Sequence, residues 1–298
     1  DDKLAAYHTA YFNSGAVLYI PDNVEIKEPI EGIFYQDSDS DVPFNKHIMI
    51  IAGKNSKISY LERLESRGEG SAKATANITV EVIARSGAQV KFAAIDRLGE
   101  NVTAYISRRG KLGNDASIDW AIGVMNEGNV VADFDSDLIG NGSHAYLKVV
   151  ALSSGRQVQG IDTRVTNYGC NSIGNILQHG VILEKATLTF NGIGHIIKGA
   201  KGADAQQESR VLMLSDQARS DANPILLIDE NDVTAGHAAS IGQVDPEDMY
   251  YLMSRGLDKA TAERLVVRGF LGSVIVEIPV KEVRDEMIAT IEEKLSKR

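Results

Sequence analysis

Gly53-Lys-Asn-Ser-Lys-Ile-Ser-Tyr-Leu61 is the most telling stretch of this chain, because its pattern returns along the sequence. It comes back as Ser86-Gly-Ala-Gln-Val-Lys-Phe-Ala-Ala-Ile95, as Gly113-Asn-Asp-Ala-Ser-Ile-Asp-Trp-Ala-Ile122 and as Gly140-Asn-Gly-Ser-His-Ala-Tyr-Leu-Lys-Val-Val150. Glu184-Lys-Ala-Thr-Leu-Thr-Phe-Asn-Gly192 reads the same way. Each time, a turn containing a small residue leads into a strand whose alternate positions are apolar. Ile58, Val90, Ile118 and Ala145 mark equivalent places about thirty residues apart, a period typical of repeat architectures. Strands of a sandwich usually recur at closer spacing. Twenty-seven glycines against six prolines suit a stack of coils, since every corner needs a permissive backbone. A coil that cannot bury its inward face alone does so against its neighbours. The pattern predicts a mainly β chain, a parallel β-helix or β-solenoid over residues 1–242, with a sandwich as the open alternative.

Composition changes after Gly242. Asp245-Pro-Glu-Asp248 is a helix start, with a capping carboxylate, proline at the first helical position and acids at the positive end of the dipole. Met249, Leu252 and Met253 give that helix an apolar face, and Gly256 is placed to end it. Asp258 opens a second helix carrying Ala262, Leu265 and Val266, expected to close near Gly269. Phe270 to Ile278 is an apolar run readable as strand or buried helix, ended by Pro279. Val283, Met287, Ile291 and Leu295 recur every four residues on a last helix. Residues 243–298 are therefore expected to form a small C-terminal α-helical domain. The Phe270–Ile278 run holds more apolar surface than so small a unit hides easily, which points to a partner.

The bulk composition narrows the class. At 43% hydrophobic and 24% charged residues, the 298-residue chain has an ordinary globular composition. A net charge of −10 disfavours nucleic acid and anionic membranes as partners. No apolar run approaches the ~20 residues that span a bilayer. The lone Cys170 excludes an internal disulfide framework and fits a reducing compartment, and the first residues lack a signal-peptide pattern. The expected location is cytoplasmic.

Several groups are candidates for chemistry. His237 lies in Asp232-Val-Thr-Ala-Gly-His-Ala-Ala-Ser240, where small neighbours leave the imidazole reachable by another subunit. The alternative is a histidine that only stabilises its loop. Cys170, with Gln178-His179 downstream, reads either as a sulfur acceptor or as a small buried residue. Asp133-Phe-Asp-Ser-Asp137 puts three carboxylates on one face of a strand, as for a hard cation or a solvated face. Asn191-Gly-Ile-Gly-His195 with Lys198-Gly-Ala-Lys-Gly202 lacks the strand–helix context of a nucleotide site and reads as coil corners. No P-loop, nucleophile elbow or zinc-protease helix occurs.

The stretch from Ala222-Asn-Pro-Ile-Leu-Leu-Ile-Asp-Glu-Asn-Asp232 through His237 to Pro246-Glu-Asp-Met-Tyr-Tyr-Leu-Met-Ser-Arg-Gly256 resembles the C-terminal signature of the SufD family, scaffold subunits of the SUF iron–sulfur cluster assembly machinery. Thr163-Arg-Val-Thr-Asn-Tyr168, Thr189-Phe-Asn-Gly192, Gln206-Gln-Glu-Ser-Arg-Val-Leu-Met-Leu-Ser215 and Ala218-Arg-Ser-Asp-Ala-Asn-Pro224 are similar to that family too. The related SufB family usually has several cysteines and a glutamate-rich setting for its histidine. Here Ala238 follows His237 and Cys170 stands alone, which favours SufD.

The resemblance implies a right-handed parallel β-helix with a C-terminal helical domain. It also implies a largely helical N-terminal region ahead of Asp1. The implied role is a non-catalytic scaffold that pairs with a SufB-like paralogue and docks SufC, an ABC-type ATPase. His237 would be an interface ligand for a transient, nascent Fe–S cluster, with none held tightly by this chain alone. Phe270, Leu271, Val274, Ile275 and Ile278 would help form the SufC-docking unit. Some relatives carry cysteine where this chain has Ala235, so His237 would supply only part of a site. A homodimer in isolation, a self-associating structural solenoid, and a β-helix carbohydrate-active enzyme using Asp133, Asp135 and Asp137 are the alternatives.

Overall fold

A computed structural model describes residues 3–70, 72–276 and 281–296. After helix α1 (Lys3–Tyr11), the chain winds through sixteen described strands that alternate between two parallel sheets. One sheet, sheet A, stacks β1 (Ser14–Ile20), β3 (Phe44–Ala52), β5 (Ala74–Ala84), β7 (Val102–Leu112), β9 (Val130–Leu138), β11 (Val158–Asn167), β13 (Thr187–Ile196) and β15 (Arg219–Ile228). The other, sheet B, stacks β2 (Ile30–Asp37), β4 (Lys57–Arg67), β6 (Gln89–Arg97), β8 (Ser117–Val124), β10 (His144–Ser153), β12 (Ile173–Ile182), β14 (Asp204–Met213) and β16 (Thr234–Gln243). This is a β-solenoid of about eight turns. Helices α2 (Pro246–Ser254), α3 (Lys259–Ile275) and α4 (Lys281–Ser296) follow.

The repeat read from the sequence is the register of sheet B. Ile58 pairs with Val90, Val90 with Ile118, and Ile118 with Ala145. The row then continues through Gly174 and Ala205 to Ala235. The fifth repeat segment, Glu184 to Gly192, belongs to the opposite corner and feeds β13 of sheet A.

The corners are built as the composition suggests. Asn55, Gly87, Asp115, Gly142, Asn171 and Gly202 occupy successive turns at one corner, all with positive φ between 52° and 70°. Only Gly, Asn and Asp enter that region with little strain. Their amides stack the coils: Asn55 N–H donates to Ser86 O, Gly87 to Asn114, Asp115 to Asn141, Gly142 to Cys170, and Asn171 to Lys201. Of the two glycine-rich segments expected at corners, Lys198–Gly202 is one of these corners, but Asn191–His195 lies inside strand β13.

Inside, inward side chains stack in rows. Tyr60, Phe92 and Trp120 form an aromatic column with ring centroids 5.4 and 4.8 Å apart. Beside it lies a buried ion cluster. Arg108 on β7 reaches Glu62 Oε1 at 2.6 Å and Asp96 Oδ1 at 2.7 Å, all three fully buried.

Helices α3 and α4 lie on the outer face of sheet B. Leu271 and Val274 of α3, with Val283, Met287, Ile291 and Leu295 of α4, pack on outward Leu61, Ile95, Val150, Leu152 and Val181. Arg63 binds Glu286 at 2.8 Å and Arg97 binds Glu293 at 3.0 Å along the same contact. The caps are those expected: Asp245 Oδ1 accepts the Glu247 N–H at 2.8 Å, and Gly256 leaves α2 at φ +90°.

Two expectations are corrected. The second helix does not close near Gly269 but runs to Ile275, since a glycine facing open space there costs only ~1 kcal/mol against extensive packing. The apolar run is likewise covered in part without a partner: Leu271, Val274 and Ile275 are buried against the chain's own sheet, while Val276 is exposed. Ile278 and Pro279 lie outside the described residues.

Candidate functional site

Strands β15 and β16 end the solenoid, and each is the outer strand of its sheet. Thr234 donates its N–H to Ala203 O across the β14–β16 ladder. By the period of two, the N–H and C=O groups of Ala235, His237, Ala239 and Ile241 point the other way, to an edge unpaired among the described residues. Exposed Ile225, Leu227, Ile228 and Ile241 line the same end. An open parallel edge with apolar side chains is a surface made for strand addition.

His237 is the last rung of an inward row that starts at Ile30. The row runs Ile30, Tyr60, Phe92, Trp120, Leu147, Ile176, Gln207, His237. Register partners in a parallel sheet share an orientation, so His237 is on the lumen side with buried Gln207, and Ala235 is on that side two residues before it. Beyond His237 no coil follows among the described residues, and its imidazole is exposed.

The lumen beneath it is polar. Gln207 Nε2 donates to Ile225 O at 2.9 Å, bridging sheet B to sheet A, while its Oε1 is buried without a partner. Ser209 Oγ donates to Gln178 Oε1 at 2.6 Å. Gly192 makes room for this amide array: a Cβ there would meet Gln207 Oε1 at 2.6 Å.

On the outer face, a groove of about 680 Å³ runs between α3 and the strands from β10 to β16, with His179 and the outward Gly236 and Ala238 beside His237 in its lining. His179 is buried under α3, its Nε2 3.2 Å from Glu208 Oε1 and its ring stacked on Phe270 at 5.0 Å. Burial pushes the His179 imidazole below its ordinary range against the pull of Glu208. Phe270 is thus half-buried and anchors α3 to the sheet.

The other candidates are not gathered here. Cys170 lies in a corner turn, its thiol donating to Gly199 O at 3.4 Å. His179 is six strand residues beyond Ile173, roughly 20 Å along the strand, so the two do not form a pair. Asp133, Asp135 and Asp137 do share the outer face of β9, but Arg109 of β7 and Arg164 of β11 stand in register with Asp135, and Lys111 of β7 with Asp137. Burial, then Asp133, raises the Asp135 carboxyl to about 6. Among the described residues, no group of three or more His, Cys, Asp or Glu side chains is placed to hold a metal ion, so none of them joins His237 in such a set.

Comparison with known proteins gives the family. The profile of "SUF system FeS cluster assembly, SufBD core domain" matches residues 34–270. The chain belongs to the SufBD family. It is 45% identical over 296 residues to the iron-sulfur cluster assembly protein SufD of Bacillus subtilis, covering 99% of this chain and 67% of that protein. SufBD family proteins of Staphylococcus epidermidis and Staphylococcus saprophyticus are 25% and 24% identical over 281 residues, and the chain spans 60% of their length. This SufBD-family chain is a component of the SUF system for iron–sulfur cluster assembly. That membership displaces the carbohydrate-enzyme alternative, whose three carboxylates are charge-balanced by basic neighbours rather than set in a cleft. No described helix is long and apolar enough to cross a membrane.

Sequence reasoning missed the polar lumen row. The coils differ in length, so a fixed thirty-residue count from Tyr60 passes to Arg210 and Ser240, and only the ladder register leads through Gln207 to His237.

Proposed function

We propose that the chain is a non-catalytic, SufD-like scaffold that pairs with a SufB-like paralogue through the open edges of β15 and β16. The observation that carries this reading is the end of the solenoid itself: two strand edges unpaired among the described residues, four exposed aliphatic residues, and His237 on the last rung. A second solenoid adding its own edge would seal the lumen mouth and bring its ligands to His237. A nascent Fe–S cluster, the cargo of the system, would be held there transiently. One imidazole cannot hold a cluster, and thiolates are its usual ligands, so the partner must supply most of them. The reading keeps the protein in the cytoplasm, where thiolate and sulfide chemistry stays reduced.

The test is a complex purified with its SufB-like and SufC-like partners, assayed for iron and sulfide. His237→Ala is expected to leave the complex intact and lower both contents. Unchanged contents in an intact complex end the ligand role. The same edges allow two copies of this chain to meet when the paralogue is missing, which sedimentation of the isolated chain would show.

The docking of a SufC-like ATPase is assigned to the helical unit, on its outward side. Because Leu271, Val274 and Ile275 are consumed in the core, the contact passes to exposed Tyr250, Tyr251, Met253, Leu265 and Val276. Tyr250→Asp with Leu265→Asp is expected to abolish capture of the ATPase without lowering thermal stability. Capture at the original level refutes this surface.

A further inference from the structure

We propose that helix α1 is held on sheet A by a proton-dependent latch, in which one proton shared by His8, His47 and Glu81 completes a chain of three hydrogen bonds ending on Asn77. The contacts are His8 Nδ1 to Asn77 Oδ1 at 3.1 Å, His8 Nε2 to His47 Nδ1 at 3.0 Å, and His47 Nε2 to Glu81 Oε2 at 3.1 Å. They join α1 to β5, β3 and β5 again.

Counting donors gives the proton. Asn77 Nδ2 donates to Leu4 O at 3.3 Å, which turns its oxygen toward His8. The chain therefore ends on an acceptor at both sides, an amide oxygen and a carboxylate. Three gaps need three N–H groups, and two neutral imidazoles supply two. A single added proton, placed on His47, supplies the third and pairs with Glu81. A second proton, on His8, would put two N–H groups in one gap. Burial and the neighbouring His47 push His8 below its ordinary range, in keeping with a neutral ring.

Few side chains of the helix are buried. His8 is its only buried residue, at 2% exposure. Phe12 flanks the two rings at 5.8 and 5.6 Å, and Asn45 Nδ2 donates to Tyr11 O at 3.1 Å. The charged neighbours are Glu81 on β5, Arg109 in register with it on β7, and Lys46 on β3, whose ammonium is turned to Ser14 Oγ. The nearby phenols are Tyr7 and Tyr11 of α1, packed on each other. Opening the latch uncovers Asn45 and Asn77, which are otherwise buried.

Docking then has an optimum in pH. On the alkaline side the docked helix gives up its proton, and the docking constant falls by up to ~10-fold per pH unit for one linked proton. On the acid side protonation of His8 costs the docked state: its lowered folded value means stability is present above its unfolded value and lost as pH falls.

The test is hydrogen–deuterium exchange of the amides of residues 3–11 in the full chain, over about pH 5 to 9, corrected for intrinsic rates. Protection is expected to pass through a maximum and fall on both sides. Glu81→Gln removes the counter-charge and moves the alkaline fall to lower pH. His8→Phe keeps the ring contacts and flattens the profile. A flat wild-type profile overturns the latch, and so does a Glu81→Gln profile identical to wild type, whether or not the His8 variant docks.

Discussion

Gln207 and His237 stand in parallel register as the last two rungs of one inward row, the first buried with a free carbonyl oxygen and the second at the open end. The row passes through an aromatic column and ends on an amide and an imidazole. Its chemistry changes from aromatic packing to polar side chains along a single line of the solenoid.

The free edge beside His237 can be blocked without breaking the fold. Ala239 directs its N–H away from β14, so Ala239→Pro removes an edge donor and leaves the β14–β16 ladder whole. Pairing with a SufB-like partner is expected to be lost while the melting temperature of the isolated chain moves little. Ser240→Pro, which removes a ladder donor instead, should lower that temperature. Size-exclusion chromatography with thermal melting separates the two.

The Arg108 cluster is a stability element. Removing the guanidinium leaves two buried carboxyls without their counter-ion, so Arg108→Ala should cost about 3–5 kcal/mol in urea unfolding. Glu62 behaves differently. Burial pushes its carboxyl up against the pull of Arg108, and its Oε2 is unpartnered. A raised folded value gives stability that is full at low pH and lost as pH rises. Wild type should therefore lose stability relative to Glu62→Gln as pH climbs from about 4 toward neutrality. Parallel curves for the two proteins would show that Glu62 keeps its ordinary protonation.

Asp135 titrates in a range that NMR can follow. Its carboxyl is raised to about 6 by burial and then by Asp133, with Arg164 and Arg109 pulling the other way. Its contribution to stability is present below the ordinary carboxylate range and lost as pH passes about 6. Asp133→Asn should lower the Asp135 midpoint, and Asp135→Asn should stabilise the chain more at pH 8 than at pH 4. An Asp135 midpoint near 4 would contradict the burial argument.

The coil is written in local sequence. Turn residues forced to positive φ, followed by alternating strands at a thirty-residue period, are short-range features. Ile58, Val90, Ile118 and Ala145 fall on one ladder because each coil repeats the same corner chemistry. The helix caps are equally legible, since Asp245, Pro246 and Gly256 act within a few residues of themselves.

Where the helices go, and what the end of the stack offers, is settled by packing at long range. Strands such as Val149-Val-Ala-Leu152 break the alternation because both of their faces are buried, the inner one in the lumen and the outer one under α3 and α4. An apolar run states that a surface will be covered, not by what, so Leu271 and Val274 read as partner contacts until the sheet is seen beneath them. His237 is legible as a histidine among small residues. Its place on the last rung, facing an open lumen beside Gln207, depends on register summed over seven strands, which no local pattern contains.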